Sequence, residues 1–135
     1  MEFAKQFFKL LEWTRVKASL MLSIKNVYPK LGEIWWASVG YNIGVEANGK
    51  NDDFERLVII LNVFNKDSVL IMTLTTKIKD NKFMFPITTS DSEFSAINMS
   101  QIRNISTKRL SRKLCDVAEN DFKTIQQSAR ELLLT

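Results

Sequence analysis

The chain has 135 residues, of which 45% are hydrophobic and 25% charged, as in an ordinary globular domain. It has no histidine and one cysteine, which excludes a histidine general base, a histidine-ligated zinc ion and an internal disulfide. The net charge of +4 belongs to residues 1–31, with six basic and two acidic residues, so the basic total is weak evidence for nucleic-acid binding.

The first segment, from Glu2 to about Lys25, predicts an amphipathic helix that Pro29 stops. Its apolar stripe is Phe3, Phe7, Leu11, Thr14, Ala18 and Met21, with Trp13, Val16, Leu20 and Ile24 beside it. So wide a face predicts packing onto the rest of the chain or onto a second copy. Its lysines leave open a third alternative, attachment to an anionic lipid surface.

Targeting signals are not apparent in this segment. The apolar run at residues 18–24 is too short to span a membrane. It also lacks the position and cleavage pattern of a secretion signal. A single cysteine fits a reducing compartment. We therefore expect a cytoplasmic protein that binds no membrane.

The β region opens with residues 32–39, which have the apolar and aromatic content of a strand. Residues 41–55 then form a long polar loop with two glycines and an acidic cluster at its end. A loop of this length inside a compact domain is more often functional than idle. It leads directly into Arg56.

Two apolar runs, residues 57–64 and 68–75, are separated by a short polar turn. This pattern predicts a β-hairpin whose strands are both largely buried. If the chain turns about Lys66, residues that face each other have numbers that sum to about 132.

The hairpin brings Arg56 across from Thr75 and Thr76 at its open end. Directly opposed side chains lie roughly 4.5–5.5 Å apart at Cβ. A guanidinium and one or two hydroxyls at this distance predict a site that binds an anion. The alternative for Arg56 is a strand-end ion pair with Asp52 or Asp53.

The second half of the chain predicts short strands and a closing helix. Residues 83–87 form a strand that Pro86 places at an edge, and residues 94–106 form one or two more. A turn or single helical turn at residues 107–112 precedes a short strand at 113–117. The closing helix has the apolar stripe Phe122, Ile125, Ala129, Leu132 and Leu133. Short strands with helices only at the ends predict a bent antiparallel sheet or barrel.

Four motifs stand in a familiar order and spacing. They are Gly32-Glu33-Ile34-Trp35, Gly44-Val45-Glu46, Arg56 before an aliphatic strand, and Gln101-Ile102-Arg103-Asn104-Ile105. Together they resemble the MazF/PemK-family toxins over about residues 32–134, with Thr75 at the family's threonine position. The chain departs from the family at Leu57, where a proline is usual, at Ala47, where a glutamine is usual, and in extra acidic loop residues that favour attenuated activity.

The resemblance implies a mainly β fold with flanking helices, built on a small SH3-like β-barrel of the MazF/PemK/CcdB type. The barrel and a C-terminal helix would occupy residues 32–135, and residues 1–31 would form an N-terminal amphipathic helix extension. It also implies a toxin that cuts single-stranded RNA without a metal or other cofactor. Arg56 and Thr75, which the hairpin already brings together, would be its catalytic residues.

Further residues are predicted to contribute to the site, each with an alternative role. Glu46 is the candidate general base, and its alternative is a loop-anchoring hydrogen bond. The candidate RNA contacts are Lys77, Lys79, Lys82, Gln101 and Arg103. For the lysines the alternative is a solvated basic turn, and for the last two it is a structural role.

Partners follow from the same resemblance. It implies a homodimer and a cognate antitoxin whose acidic segment would lie across Arg56. Two competing functions stay open at this point. One is a non-catalytic toxin of the same fold that acts by binding a protein, and the other is an interaction module whose catalytic site has decayed.

Overall fold

The computed structural model describes residues 2–134, which form six β-strands between two helices. The bounds are α1 Glu2–Met21, β1 Glu33–Ser38, β2 Glu55–Asn65, β3 Ser68–Thr75, β4 Met84–Thr88, β5 Phe94–Ser106, β6 Leu110–Asp116 and α2 Glu119–Leu133. A single 3₁₀ turn, Thr107–Arg109, joins β5 to β6, as the sequence predicts for this segment.

The strands form one antiparallel sheet in the order β4-β5-β3-β2-β1-β6. The mainly β class with flanking helices is confirmed, but the predicted closed barrel is wrong. Over residues 2–134 the sheet stays open, because β4 and β6 are its two edges and do not pair with each other. Pro86 in β4 has no N–H to offer a further strand, which suits β4 to the edge position predicted for it.

The predicted hairpin is formed by β2 and β3. Its pairs run from Val58 opposite Thr73 to Asn65 opposite Ser68, so the facing numbers sum to 131 to 133. Residues 57–61 of β2 and 71–74 of β3 are buried, and alternate residues of these segments enter different clusters on the two faces of the sheet. Ile59 packs under α2, whereas Ile60 packs with Trp35 on the opposite face.

The closing helix α2 covers one face of the sheet with the stripe that the sequence predicts. Ile125 is fully buried there, and Phe122, Ala129, Leu132 and Leu133 pack around it. Burial of a side chain of this size is worth about 1.5–3 kcal/mol. The helix therefore fixes the sheet from one side and leaves the open end of the hairpin free.

β5 is a single strand of 13 residues that carries an irregularity. Met72 pairs with Ile102 but Thr73 pairs with Asn98, so three residues of β5 have no partner in β3. These residues, 99–101, form a bulge, which bends a strand and redirects its side chains. Gln101 lies in this bulge.

α1 ends at Met21, short of the predicted end near Lys25. The Ser23 hydroxyl accepts a hydrogen bond from the backbone N–H of Lys25 at 3.2 Å. Local bonds of this kind offer the backbone an alternative to the helix. The helix therefore stops well before Pro29.

α1 contacts the rest of the chain mainly through Trp13, its one buried residue. The Trp13 ring lies 5.7 Å from the Phe54 ring, and the Arg109 guanidinium lies 5.5 Å from its centre. A Cβ at Gly40 would lie 2.7 Å from the same ring, so only glycine admits it. Of the two kinds of packing predicted for the apolar stripe, packing of the whole stripe onto the same chain does not occur, because Phe3 and Phe7 are 78% and 52% exposed, and packing onto a second copy stays a prediction. Neither helix, over the described residues, is long and apolar enough to cross a bilayer.

Candidate active site

Arg56 and Thr75 lie at the open end of the hairpin, as the sequence predicts. Arg56 pairs with Ala37 of β1, and Thr75 pairs with Ala96 of β5. Both side chains line one cleft of about 260 Å³, here called the Arg56 cleft. The structure thus brings the two predicted residues together at the surface of a sheet that is otherwise packed.

Arg56 is held by backbone oxygens. Its Nε donates to the carbonyl oxygen of Asn48 at 2.8 Å, and its Nη1 donates to that of Leu74 at 3.3 Å. The alternative ion pair with Asp52 or Asp53 is not formed, and no carboxylate in residues 2–134 lies within ion-pair distance of this guanidinium. Because arginine has five N–H donors, several remain to bind an anion in the cleft.

The cation of Arg56 is partly desolvated. Burial lowers the pKa of its guanidinium, although arginine remains protonated in proteins. A charge in this position attracts an anion more strongly than the same charge in water. The cleft therefore combines a fixed positive charge with free donors, which suits it to a phosphate group.

Thr75 is half-buried beside the arginine. Its hydroxyl oxygen accepts a hydrogen bond from the backbone N–H of Lys77 at 3.1 Å. This bond fixes the oxygen and leaves the hydroxyl hydrogen available. Thr75 can therefore add one donor to those of Arg56.

Other residues of the Arg56 cleft escaped the sequence analysis. They include Trp36, Lys50, Asn51, Glu55, Glu93 and Ser95. Glu55 accepts hydrogen bonds from Ser111 at 2.5 Å and Asn51 at 2.9 Å and forms an ion pair with Arg112 at 3.3 Å. Glu93 is exposed and its carboxylate has no such partners among the described residues. Ser95 in β5 and Glu93, which directly precedes β5, reach the cleft through the non-local pairing of β5 with β3, for which the sequence carries no short motif.

Glu46 lies elsewhere. It lines a second depression of about 350 Å³, here called the Glu46 depression, together with Gln101 and Arg103. Its Oε1 accepts a hydrogen bond from the backbone N–H of Ile43 at 3.0 Å, which is the loop-anchoring bond named as its alternative. The structure therefore does not bring Glu46 into the cleft with Arg56 and Thr75.

Gln101 joins the two depressions through the site loop, residues 41–49. Its Oε1 accepts from the N–H of Ala47 at 2.9 Å, and its Nε2 donates to the carbonyl oxygen of Val45 at 2.7 Å. The side chain thus bonds to the loop as a neighbouring strand would. Because the carbonyl oxygen of Asn48, the residue after Ala47, accepts from Arg56, Gln101 is placed to fix the loop against which the arginine rests.

Arg103 and Arg109 form a second cationic region beside the Glu46 depression. Arg103 donates to the carbonyl oxygen of Val39 at 3.2 Å, and Arg109 donates to that of Ser38 at 3.0 Å. Burial lowers the pKa of Arg103, an effect that the charge of Glu46 opposes. Burial and the nearby charge of Arg103 lower the pKa of Arg109, which was not among the predicted site residues.

The three predicted lysines lie apart from both depressions. Lys77, Lys79 and Lys82 are exposed along the connection between β3 and β4. The Lys82 ammonium lies 5.2 Å from the centre of the Phe83 ring.

Over residues 2–134, no three side chains of the His, Cys, Asp or Glu type come together as a metal site would require.

The class of protein follows from a comparison with known families. A family model described as "PemK-like, MazF-like toxin of type II toxin-antitoxin system" matches residues 30–133. The chain therefore belongs to this toxin family, as its motifs predicted. Helix α1 lies outside the matched range. No curated protein matches the chain.

Solved structures agree with this assignment. MazF from Deinococcus radiodurans is 15% identical, with a TM-score of 0.69 over 82% of this chain and 100% of that one. An endoribonuclease in complex with its cognate antitoxin, from a mycobacterial species, is 16% identical, with a TM-score of 0.61 over 78% and 95%. Mycobacterium tuberculosis toxin MazF-mt6 is 14% identical, with a TM-score of 0.58 over 73% and 93%. At these identities the similarity establishes the fold alone.

Proposed function

We propose that this chain is a toxin that cuts single-stranded RNA without a metal ion, with Arg56 and Thr75 at the reacting phosphate. The observation that supports this most is the environment of Arg56. Its guanidinium is partly buried, bonded to two backbone carbonyl oxygens and free of any carboxylate partner in the described chain. A cation kept in this state, with free N–H donors beside the Thr75 hydroxyl in an open cleft, is suited to bind an external anion.

The proposed reaction is an attack by an RNA 2′-hydroxyl on the adjacent phosphorus. The bond from phosphorus to the 5′-oxygen of the next nucleotide breaks, which leaves a 2′,3′-cyclic phosphate and a 5′-hydroxyl. Negative charge grows on the phosphoryl oxygens, so donors already in place there lower the barrier. Arg56 supplies a planar fork of N–H groups, and Thr75 adds its hydroxyl.

A proton must leave the 2′-hydroxyl, and another must reach the 5′-oxygen. Glu46 was the acceptor predicted from the sequence, but its carboxylate binds the Ile43 N–H in another depression. Glu93 lines the Arg56 cleft, whereas Glu55 is engaged by Ser111, Asn51 and Arg112. We therefore propose Glu93 as the proton acceptor and an anchoring role for Glu46. The Arg56 guanidinium can deliver the second proton to the departing 5′-oxygen and regain one at once from water, so that it is protonated before and after the reaction.

The RNA path would continue from the cleft to the two other predicted basic regions. Arg103 and Gln101 line the Glu46 depression, with the site loop between it and the cleft. Lys77, Lys79 and Lys82 follow β3 directly after Thr75. Lysine and arginine in such positions bind phosphates of a strand without reading its sequence.

The direct test is product analysis with the purified chain and a labelled single-stranded RNA in excess EDTA. We expect cleavage with 2′,3′-cyclic phosphate and 5′-hydroxyl ends. Cleavage only after Mg²⁺ is added, with 3′-hydroxyl ends, would exclude this mechanism. Absence of cleavage under every condition would favour the alternative function, a toxin or interaction module that acts by protein binding.

Partners belong to the same proposal. Because a similar endoribonuclease was solved with its cognate antitoxin, we propose that an antitoxin inhibits this chain by covering Arg56. We also propose a homodimer of the 32–135 domain in the cytoplasm. An apolar depression of about 400 Å³ between the sheet and the end of α2, lined in part by Leu31, Ile102 and Leu133, supports such an interface. Light scattering on the full chain would measure its mass.

A further inference from the structure

Helix α1 has two apolar faces, and only one of them is in contact with the chain. Trp13 is buried, and Val16 and Leu20 beside it are partly covered. On the opposite side, the exposed large apolar residues are Phe3, Phe7, Phe8, Leu10 and Leu11, between 46% and 78% exposed. An exposed apolar patch of this kind on a soluble domain marks an interaction site.

The free face is not flat. Together with the start of the site loop it forms a groove of about 400 Å³, here called the α1 groove, lined by Phe3, Phe7, Leu10, Tyr41, Asn42 and Ile43. Phe3 and Phe7 stack with ring centres 6.3 Å apart and form one wall. A concave apolar site accepts inserted side chains of a polypeptide, whereas a planar lipid surface would contact only its rim.

The net positive charge of the N-terminal segment favours a polypeptide of opposite charge as the occupant of the groove. Residues 1–31 hold six basic and two acidic residues, whereas residues 32–135 hold thirteen of each. Helix α1 itself carries four basic and two acidic residues of this set, a net charge of +2, and Lys25 and Lys30 follow it along the chain. A second copy of this basic segment would be repelled, but an acidic segment would be attracted.

We propose that the α1 groove binds an acidic polypeptide segment that inserts large apolar side chains between α1 and the site loop. This deepens the proposed function, on which it rests in one respect: an antitoxin is the partner that would supply such a segment. The occupant would contact α1 in addition to any segment that covers Arg56. Helix α1 thus becomes a docking element that lies outside the range matched by the toxin family model.

The groove is linked to the Arg56 cleft through the site loop. Asn42, which lines the groove, donates from its Nδ2 to the carbonyl oxygen of Ala47 at 2.7 Å. Its backbone N–H donates to the side chain of Asn48 at 2.5 Å, and the carbonyl of Asn48 holds Arg56. A segment in the groove therefore rests on the same loop that positions the arginine.

The test uses a display library of random peptides, selected on the full chain and on two variants. Phe7→Asp places a negative charge in the groove. Phe64→Asp is its matched control, because Phe64 at 53% and Phe7 at 52% are equally exposed and Phe64 lies at the far end of β2. Peptides selected on the wild-type chain should be rich in Asp, Glu and large apolar residues. Phe7→Asp should weaken their binding about tenfold or more, as expected for loss of a central aromatic anchor, and Phe64→Asp should not.

Four results would overturn the proposal. Selected peptides could lack acidic residues, or could bind Phe7→Asp as tightly as the wild type. Alternatively, the wild type but not Phe7→Asp could sediment with vesicles of anionic lipid, or could be a dimer that Phe7→Asp dissociates. RNA cleavage by both variants is measured in parallel and should equal that of the wild type. If the wild type cuts no RNA, the proposed function fails, but the selection still tests the groove.

Discussion

Arg56 and Arg103 occupy similar positions but differ in what faces them. Both guanidiniums are partly buried, both have a pKa lowered by burial, and both donate to backbone carbonyl oxygens. Arg103 also feels the charge of Glu46, whereas Arg56 has no carboxylate partner in the described chain and lies beside Thr75. Neither arginine forms an ion pair among the described residues, but Glu46 partly offsets the charge of Arg103, whereas the charge of Arg56 faces an open cleft where it can stabilise a transition state.

The sharpest test of this difference is Arg56→Ala against Arg103→Ala. Loss of one preorganised donor raises a barrier by about 2.7–4 kcal/mol, so Arg56→Ala should lower kcat about 100- to 1000-fold. Arg103→Ala should act mainly on KM. Lys66→Ala, which removes an exposed lysine at the far turn of the hairpin, serves as the control for charge. Equal losses of kcat from Arg56→Ala and Arg103→Ala would remove the distinction, and unfolding of Arg56→Ala in circular dichroism would give Arg56 a structural role.

Glu93 and Glu46 differ in the same way in their proposed roles, since Glu93 would accept a proton and Glu46 would anchor the loop. A general base contributes about 100-fold or more, so Glu93→Gln should lower kcat by at least this factor. Glu46→Gln keeps an oxygen that can accept from the Ile43 N–H, so it should change kcat by less than about threefold. Single-turnover cleavage as a function of pH measures both. The reverse order would return the role of base to Glu46.

Thr75 should contribute less than Arg56. A hydrogen bond to a charged group is worth about 1.5–3 kcal/mol, so Thr75→Val should lower kcat about 10- to 100-fold. Thr75→Ser keeps the hydroxyl and should restore most of the activity. If Thr75→Ser is as slow as Thr75→Val, packing of the methyl group is what matters and the hydroxyl is not a donor to the phosphate.

Gln101 tests the connection between the two depressions. Gln101→Leu removes the hydrogen bonds to the Ala47 N–H and the Val45 carbonyl oxygen, each worth about 0.5–1.5 kcal/mol of loop order. We expect kcat to fall about tenfold through the displaced Asn48 carbonyl, with KM less affected. Gln101→Glu can still accept a hydrogen bond from the Ala47 N–H, so its kcat should lie between that of the wild type and that of Gln101→Leu. If Gln101→Leu raises KM alone, Gln101 is an RNA contact, as the sequence predicted.

How much the sequence could predict depended on whether the contacts were local. The hairpin register follows from two adjacent apolar runs, so the meeting of Arg56 and Thr75 was predictable. The bond between Gln101 and the site loop was not, because it depends on the three-residue bulge in β5. Glu93 reaches the cleft through the same non-local pairing of β5 with β3.

Two further features, closure of the sheet and the cover of α1, also depend on contacts between distant parts of the chain. Closure of a sheet depends on whether its two edge strands meet, and no short motif in β4 or β6 reports this. Helical spacing predicted the apolar stripe of α1 correctly but could not say whether anything covers it. The helical spacing of apolar residues identifies an apolar face, but which part of a protein packs against that face depends on the tertiary structure.

The smallest expected effect concerns acid stability, which depends on Glu33 and Glu55 and not on the cleft arginine. Burial would raise the pKa of Glu55, but hydrogen bonds from Ser111 and Asn51 and the charge of Arg112 lower it below its ordinary value of 4.5. Glu33 behaves similarly through bonds from Trp35, Lys113 and Lys30. The unfolded chain therefore takes up protons first as the pH falls.

The resulting stabilisation should be complete above pH 4.5 and decline as the pH falls through the lowered pKa values of the folded state. Urea unfolding at a series of pH values measures how steeply the free energy of unfolding changes with pH. Glu55→Gln should flatten it, whereas Glu131→Gln on the exposed side of α2 should not. An unchanged slope in Glu55→Gln would place the acid sensitivity in other groups.

The attachment of α1 through Trp13 against Gly40 has a consequence for the kinetics of association. The helix is held by one buried side chain and by a hydrogen bond from the Lys108 ammonium to the Met21 carbonyl oxygen at 2.9 Å, and regions with so few buried contacts open at low free energy while the rest stays folded. Its 20 residues span about 30 Å, so an α1 that pivots near Ser23 sweeps a volume well beyond the surface of the domain. The same weak attachment that leaves one face exposed thus widens the capture radius of the molecule, and first encounter with a partner need not occur at the groove itself.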